Sequence, residues 1–327
     1  MNIVHIIGNG FDLNLELKTK FTDFYSYYLN IGSKNTKIND IKGIISKDIE
    51  SWADLESKLG EFTSYFIHSE DFDVFREDLI ISLSDYLNII EKSFDRAMIN
   101  KDRLKHYLCA PHKELRNGDK LKIEEQFQNK KNITSKIDVI SFNYTSFLDD
   151  FFSSASQSLN SVRGSLTDHV AFNSIKHIHG SINKQLILGV NDESQISNKN
   201  FLSNIDFVES FIKPIYNSSL NHLIDVECSK LIKKANIICV FGSSLGVTDK
   251  VWWHQIIQRL LSKECVLFIY YWSEEAKDQR LTSRENKVIR KVMTQFLSYA
   301  PDLTDNEIDL LKENIFIGVN TNYLKVV

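Results

Sequence analysis

A chain of 327 residues, 43% hydrophobic and 25% charged, is long enough to bury a large core, as one α/β domain or as a core with an inserted subdomain. A formal net charge of -4 leaves no electrostatic footprint for nucleic acid, and no apolar run approaches the ~20 residues that cross a bilayer, so no membrane partner is expected. Cys109, Cys228, Cys239 and Cys265 stand far apart without a C-x-x-C pair, which argues against a zinc ribbon or disulfide framework; with no charged-then-apolar leader, a cytoplasmic protein without zinc is expected.

The first predicted element is a buried strand, Asn2-Ile3-Val4-His5-Ile6-Ile7, followed at once by Gly8-Asn9-Gly10-Phe11-Asp12-Leu13. A Gly-x-Gly turn after a buried strand is a common way to present backbone N–H groups to a phosphate. Leu13 stands where the third glycine of a dinucleotide fingerprint belongs, so an ordinary dehydrogenase is not indicated. Helical stripes come next: Trp52, Leu55, Leu59, Phe62 and Phe66, then Leu79, Ile80, Leu83, Leu87, Ile90 and Phe94, at spacings of three and four. Lys113 to Lys136 is polar and reads as a loop or solvated helix. A crossover rarely needs this length, so residues from about 20 to 132 read as a largely helical lobe inserted into a single domain spanning 1–327.

Further strands are predicted at Ile137 to Phe142, Lys176 to His179, Leu186 to Val190, Asn236 to Phe241, Cys265 to Tyr271 and Ile315 to Val319. Most are continuous apolar runs, as in strands buried on both faces of a parallel sheet. The fold class is therefore α/β: a Rossmann-like, mostly parallel sheet flanked by helices. Ser153 to Ser174 reads as a loop, and Asp192 to Asn204 as a loop placed to serve as a lid. Trp252-Trp253 with Ile256, Ile257, Leu260 and Leu261 reads as a buried helix, and Lys287 to Phe296 as an amphipathic one; an apolar face there leaves self-association open.

Four polar, small-residue loops follow predicted strands, and parallel strands bring their carboxyl ends to one edge, where open α/β sheets bind ligands. Besides Gly8 to Asp12 they are Phe142-Asn143-Tyr144-Thr145, His177-Ile178-His179-Gly180, and Phe241-Gly242-Ser243-Ser244 with Asp249 beyond it. The Asn143 amide both donates and accepts. Strand alternation places His177 and His179 on one face, with open space at Gly180 beside the second ring.

These motifs resemble the bacterial abortive-infection AbiH family. The resemblance rests on Gly8-Asn9-Gly10-Phe11-Asp12-Leu13 with Leu17-Lys18-Thr19 and Phe24, on Trp52-Ala53-Asp54-Leu55-Glu56, on Phe142-Asn143-Tyr144-Thr145, and on His179-Gly180 with Leu188-Gly189. It covers residues 2 to about 255 and implies a role in defence against phage, with a phage-derived trigger as a partner. The motif order is also similar, more distantly, to sirtuin-type NAD-binding domains, at Gly8, Gly10, Asn143, His179-Gly180 and Gly242-Ser243-Ser244-Leu245. Here the two zinc-binding cysteine pairs of the deacylases are missing, and Tyr144-Thr145 follows the Asn where that group has an acid at the second position.

The resemblance implies NAD+ as substrate, no prosthetic group, and hydrolysis of the nicotinamide–ribose bond. Asn143 would fix the ribose or the attacking water, and His179 would act as general base. The N–H groups of Gly8, Asn9, Gly10 and Phe11 would hold the pyrophosphate, and Asp12 a ribose hydroxyl or the nicotinamide pocket. Gly242, Ser243 and Ser244 would close over the adenosine ribose, with Asp249 as a further partner and Gly180, Tyr144 and His177 nearby. Glu56 reaches the site if the lobe covers the cleft, and is otherwise a solvated helix charge. Two rivals remain: a non-catalytic module sensing NAD or ADP-ribose, and a toxin acting on nucleic acid. The latter needs clustered carboxylates, for which Asp149-Asp150 is the only adjacent pair near a motif.

Overall fold

Six strands form one sheet in which every neighbouring pair is parallel. In this computed structural model, which describes residues 1–155, 160–182, 184–220, 222–278 and 280–327, they are β1 (Asn2–Ile7), β2 (Thr134–Ser141), β3 (His169–His177), β4 (Ile237–Phe241), β5 (Val266–Tyr271) and β6 (Ile315–Val319). The order is β3-β2-β1-β4-β5-β6. The chain builds outward from β1 in one direction and then in the other, and a crevice opens at that reversal, outside the carboxyl ends of the central strands.

The continuous apolar runs follow from burial on both faces. Ile3 and Ile7 of β1 join one core with Ile137, Val139 and Phe268, while Val4 and Ile6 join the other with Ile238, Val240 and Trp253. His5 shares the first face. Its Nε2 lies 3.0 Å from the Leu108 carbonyl and its Nδ1 2.7 Å from the Tyr323 hydroxyl, and burial holds its pKa down to about 4. It is a neutral pin between β1 and the C-terminal segment.

Helices Phe21–Tyr28, Thr36–Ile45, Leu55–Phe62 and Ser69–Ser93 follow β1 and make a third core around Trp52, Phe72 and Phe75. Ile182, Leu188, Phe207 and Phe211, beyond β3, complete that core. Helices Lys101–Cys109 and Asn117–Gln126 instead return to the sheet, with Leu104, Leu108 and Ile123 in its first core. The helical cluster that stands off the sheet therefore ends by Phe94.

Three expectations differ from the structure. Ser153 to Ser174 is not one loop: helix Phe147–Ala155 covers its start and β3 begins at His169, while residues 156–159 lie outside the described residues. Leu186 to Val190 makes only isolated bridges, Gly180 to Leu186 and Val190 to Ile212, because Leu186, Leu188 and Val190 are buried in the third core, away from the sheet. Asp192 to Asn204 does not border the cleft; the Ser197 N–H donates to the Gly60 carbonyl at 3.1 Å and the Asn198 N–H to Thr63 Oγ1 at 3.0 Å, which pins it to helix Leu55–Phe62. Among the described residues no helix is long and apolar enough to cross a membrane.

Candidate functional site

The turns after β1 and β4 interlock backbone against backbone. A Cβ on Gly10 would lie 2.4 Å from Gly242 Cα, one on Gly8 would lie 2.8 Å from the Gly242 carbonyl oxygen, and Gly242 itself has φ +71°. The Gly8 N–H donates to Phe241 O at 2.8 Å, the Gly10 N–H to Gly242 O at 2.9 Å and the Phe11 N–H to Gly8 O at 3.0 Å. Those three donors are taken, so they do not form the expected phosphate cradle; the glycines are required by the turn-to-turn contact. Phe11 is a core side chain, and helix Gly10–Asn14 is a single turn. Gly242→Ala is expected to cost more than the roughly 1–3 kcal/mol of a forced left-handed residue, because the new Cβ meets Gly10 backbone. Urea unfolding checks this.

Beside the interlock lies a chamber of about 230 Å³ at the crevice, bordered by Gly8, Asn9 and Asp12 from the β1 turn, Asn143, Tyr144 and Thr145 after β2, His179 after β3, and Gly242, Ser243, Ser244 and Asp249 after β4. Asp54, Glu56, Leu83 and Leu87 roof it from the helical cluster. Asp54 caps helix Leu55–Phe62, its carboxylate accepting from the Ser57 N–H at 3.1 Å. It therefore stands outside the helix, and Asp54 and Glu56 reach the same chamber despite being two residues apart.

Asp12 is only 1% exposed. Its Oδ1 accepts from Asn143 Nδ2 at 3.1 Å and its Oδ2 from Thr145 Oγ1 at 2.8 Å. Burial raises its pKa to about 7 against the opposing effect of those two bonds. With the Asn143 amide committed to Asp12 through nitrogen, its Oδ1 is left buried and without a partner. An acceptor in that state costs about 1–3 kcal/mol and calls for a donor from a ligand or water.

Four ionisable groups, three of which border the chamber, form a chain. Lys213 Nζ lies 2.5 Å from Glu56 Oε2 and 3.4 Å from His179 Nδ1, and His179 Nε2 lies 3.2 Å from Asp249 Oδ1. The ammonium has only protons to offer, so it donates to Nδ1 and the ring proton sits on Nε2, facing Asp249. Both ring nitrogens are thus engaged, which differs from a general base with a free nitrogen. Burial raises the Glu56 pKa despite Lys213. Burial also pushes Asp249 up, but the His179 bond and the electrostatic pull of His179 and Lys213 outweigh it, and its pKa falls below the ordinary value. Phe142 packs edge-on against the His179 ring at 5.2 Å.

The model of the family of bacteriophage abortive-infection proteins, AbiH, matches residues 4–271. The chain belongs to the AbiH family. A search of the curated proteins found no match.

Two expected site residues, His177 and Gly180, and the acid pair Asp149-Asp150 take other places in this AbiH chain. His177 ends β3 and does not border the chamber; its Nδ1 lies 3.1 Å from the Asn143 carbonyl and its Nε2 3.0 Å from Asp149 Oδ2. Burial pulls its pKa down, but the bond to Asp149 and that carboxylate's charge outweigh it, and the net shift is upward. His177 therefore positions the backbone of Asn143. Gly180 has no open space beside it: a Cβ there would lie 1.7 Å from the Gln185 carbonyl oxygen, and φ is +75°. Asp149 pairs with His177 and Asp150 with Arg96, so neither belongs to a carboxylate cluster.

Lys213 belongs to none of the sequence motifs. Its signal is a lone cation inside the apolar run Phe211-Ile212-Lys213-Pro214-Ile215, where a buried charge needs a partner. A second chamber of about 720 Å³ shares Asn9, Gly242, Ser243 and Ser244 with the first, and is walled by Tyr270, Tyr271 and Trp272. The N–H groups of Ser243 and Ser244, at the junction, find no acceptor among the described residues.

Proposed function

We propose that this AbiH protein hydrolyses the nicotinamide–ribose bond of NAD+. The observation that carries the reading is the orphaned, buried Asn143 Oδ1 next to Asp12, a carboxyl whose pKa of about 7 lets it take a proton at cell pH. A ribose hydroxyl supplies the donor that Oδ1 lacks. The inner chamber is bordered by Asp12, Asp54, Glu56 and Asp249, a surplus of carboxylates over cations. That surplus repels phosphate and favours the cationic nicotinamide ring, then the oxocarbenium-like transition state that follows.

The phosphates accordingly lie at the junction, on the Ser243 and Ser244 N–H groups, and the adenosine end extends toward Tyr271 and Trp272. Water adds to the anomeric carbon as the C–N bond breaks; nicotinamide leaves neutral with the bonding pair, and the water proton passes to Asp12. His179, fixed between Lys213 and Asp249, shapes the wall and leaves the base role to Asp12.

The test incubates NAD+ with purified protein, including protein from phage-infected cells, and follows nicotinamide by chromatography. Wild type is expected to release it, and Asn143→Ala to lose about a hundredfold or more in rate. NAD+ binding by calorimetry with no nicotinamide would instead make the cleft a nucleotide sensor. No binding and no product would remove the nucleotide reading.

A further inference from the structure

A smaller cavity of about 90 Å³ lies behind His179, bordered by Asn191, Lys213, Asn217, Asp225, Trp252 and Gln255 among others. Three of its polar atoms, Asn191 Nδ2, Asn217 Oδ1 and Gln255 Oε1, are buried without a hydrogen-bond partner. Asn217 is 2% exposed, and its amide nitrogen donates to Asp225 Oδ2 at 2.9 Å. One donor and two acceptors converging on a polar cavity are the setting in which proteins hold ordered water, and each water needs roughly 10–15 Å³. There is room for several.

We infer that this cavity holds a file of water that carries protons from the buried Glu56–Lys213 pair to the surface past Asn217 and Asp225. The purpose assigned to it rests on the hydrolysis proposed above. NAD+ and water give ADP-ribose, neutral nicotinamide and one proton, so each turnover leaves a proton in a cleft whose mouth the product still fills. Glu56 borders the inner chamber, and its Oε2 lies 2.5 Å from Lys213 Nζ, which belongs to the second cavity. The proton moves from Asp12 through chamber water to the Glu56 carboxylate. The Lys213 ammonium gives one proton to the file and takes that of Glu56, so the lysine charge is restored. Burial raises the Asp225 carboxyl, which suits a group that holds a proton briefly at the exit.

The experiment uses the full chain. A crystal structure of wild type at a resolution that shows ordered water is expected to place waters within hydrogen-bond distance of the three orphaned atoms; a dry cavity, or a co-purified organic molecule in it, overturns the inference. Asn217→Leu, with Gln255→Leu as a second variant, is expected to keep the first-turnover burst of nicotinamide and to lose about tenfold in steady-state rate. Added formate should restore that rate; an unchanged steady state, or loss of the burst together with the rate, overturns the path. If wild type releases no nicotinamide, the exchange of Lys213 ammonium protons with solvent, followed by nitrogen-detected NMR, decides the matter alone. Slowed exchange in Asn217→Leu supports the file, and unchanged exchange ends it, whatever the fate of the hydrolysis reading.

Discussion

Asp12→Asn is expected to abolish nicotinamide release and, at pH 8, to make the protein more stable. The first effect removes the group that accepts the water proton and should cost about 10²–10⁴-fold in rate. The second follows from the carboxyl's burial. Its folded pKa of about 7 lies above its ordinary value of 3.8, so between those values the folded chain holds a proton that the unfolded chain has released. Stability therefore falls as pH rises from about 4 to 7, and above that the full penalty of up to about 4 kcal/mol is present. An asparagine carries no charge, accepts from Asn143 through its carbonyl and donates to the Thr145 hydroxyl through its amide. Urea midpoints at pH 5 and pH 8 check it: the variant should gain at pH 8 and little at pH 5. The same titration makes wild-type rates climb with pH through 7, as the base ionises. A variant that loses stability equally at both values would contradict this assignment.

Lys213→Met is expected to produce the largest loss of stability at the site. Glu56 is 8% exposed, and Lys213 is its only ion-pair partner among the described residues. Removing one member of a buried pair leaves an uncompensated charge and costs about 3–5 kcal/mol. Lowering the pH should soften the loss, since Glu56 already holds its proton above the ordinary carboxyl value and neutralises first. Glu56→Gln combined with Lys213→Met should recover most of the stability while leaving turnover impaired, a coupling that a double-mutant cycle measures. A double variant as unstable as Lys213→Met alone would show that packing of the lysine stem, and not its charge, is what matters there.

The sheet is legible because β4, β5 and β6 are continuous apolar runs, as burial on both faces demands, and the apolar runs of β1 and β2 are each broken once, by His5 and by Asp138. Of β3 only the end falls within the expected strand Lys176 to His179, because it is an edge strand whose first half alternates, with Val170 and Phe172 buried and His169 and Asn173 exposed, and makes no continuous apolar run. Leu186 to Val190 failed for the opposite reason: an apolar run can serve any core, and this one serves the helical cluster. At the site, Asp12, Asn143 and His179 stand out as polar residues in the turns just past strands, and Asp249 follows the turn after β4. The glycines of the first turn are explained by the approach of Gly242 to Gly10, which no single stretch of sequence contains. Lys213, Asn217 and Gln255 carry no motif; their roles come from what faces them across the fold.

The most direct test of the central reading is a crystal structure of Asp12→Asn soaked with NAD+, in which the bound dinucleotide should survive. A ribose hydroxyl is expected within hydrogen-bond distance of Asn143 Oδ1, nicotinamide among Glu56, Asp54 and Asp249, and the diphosphate on the N–H groups of Ser243 and Ser244. A dinucleotide seated with its phosphates in the carboxylate-lined chamber, or with Asn143 Oδ1 still unpaired, would contradict it.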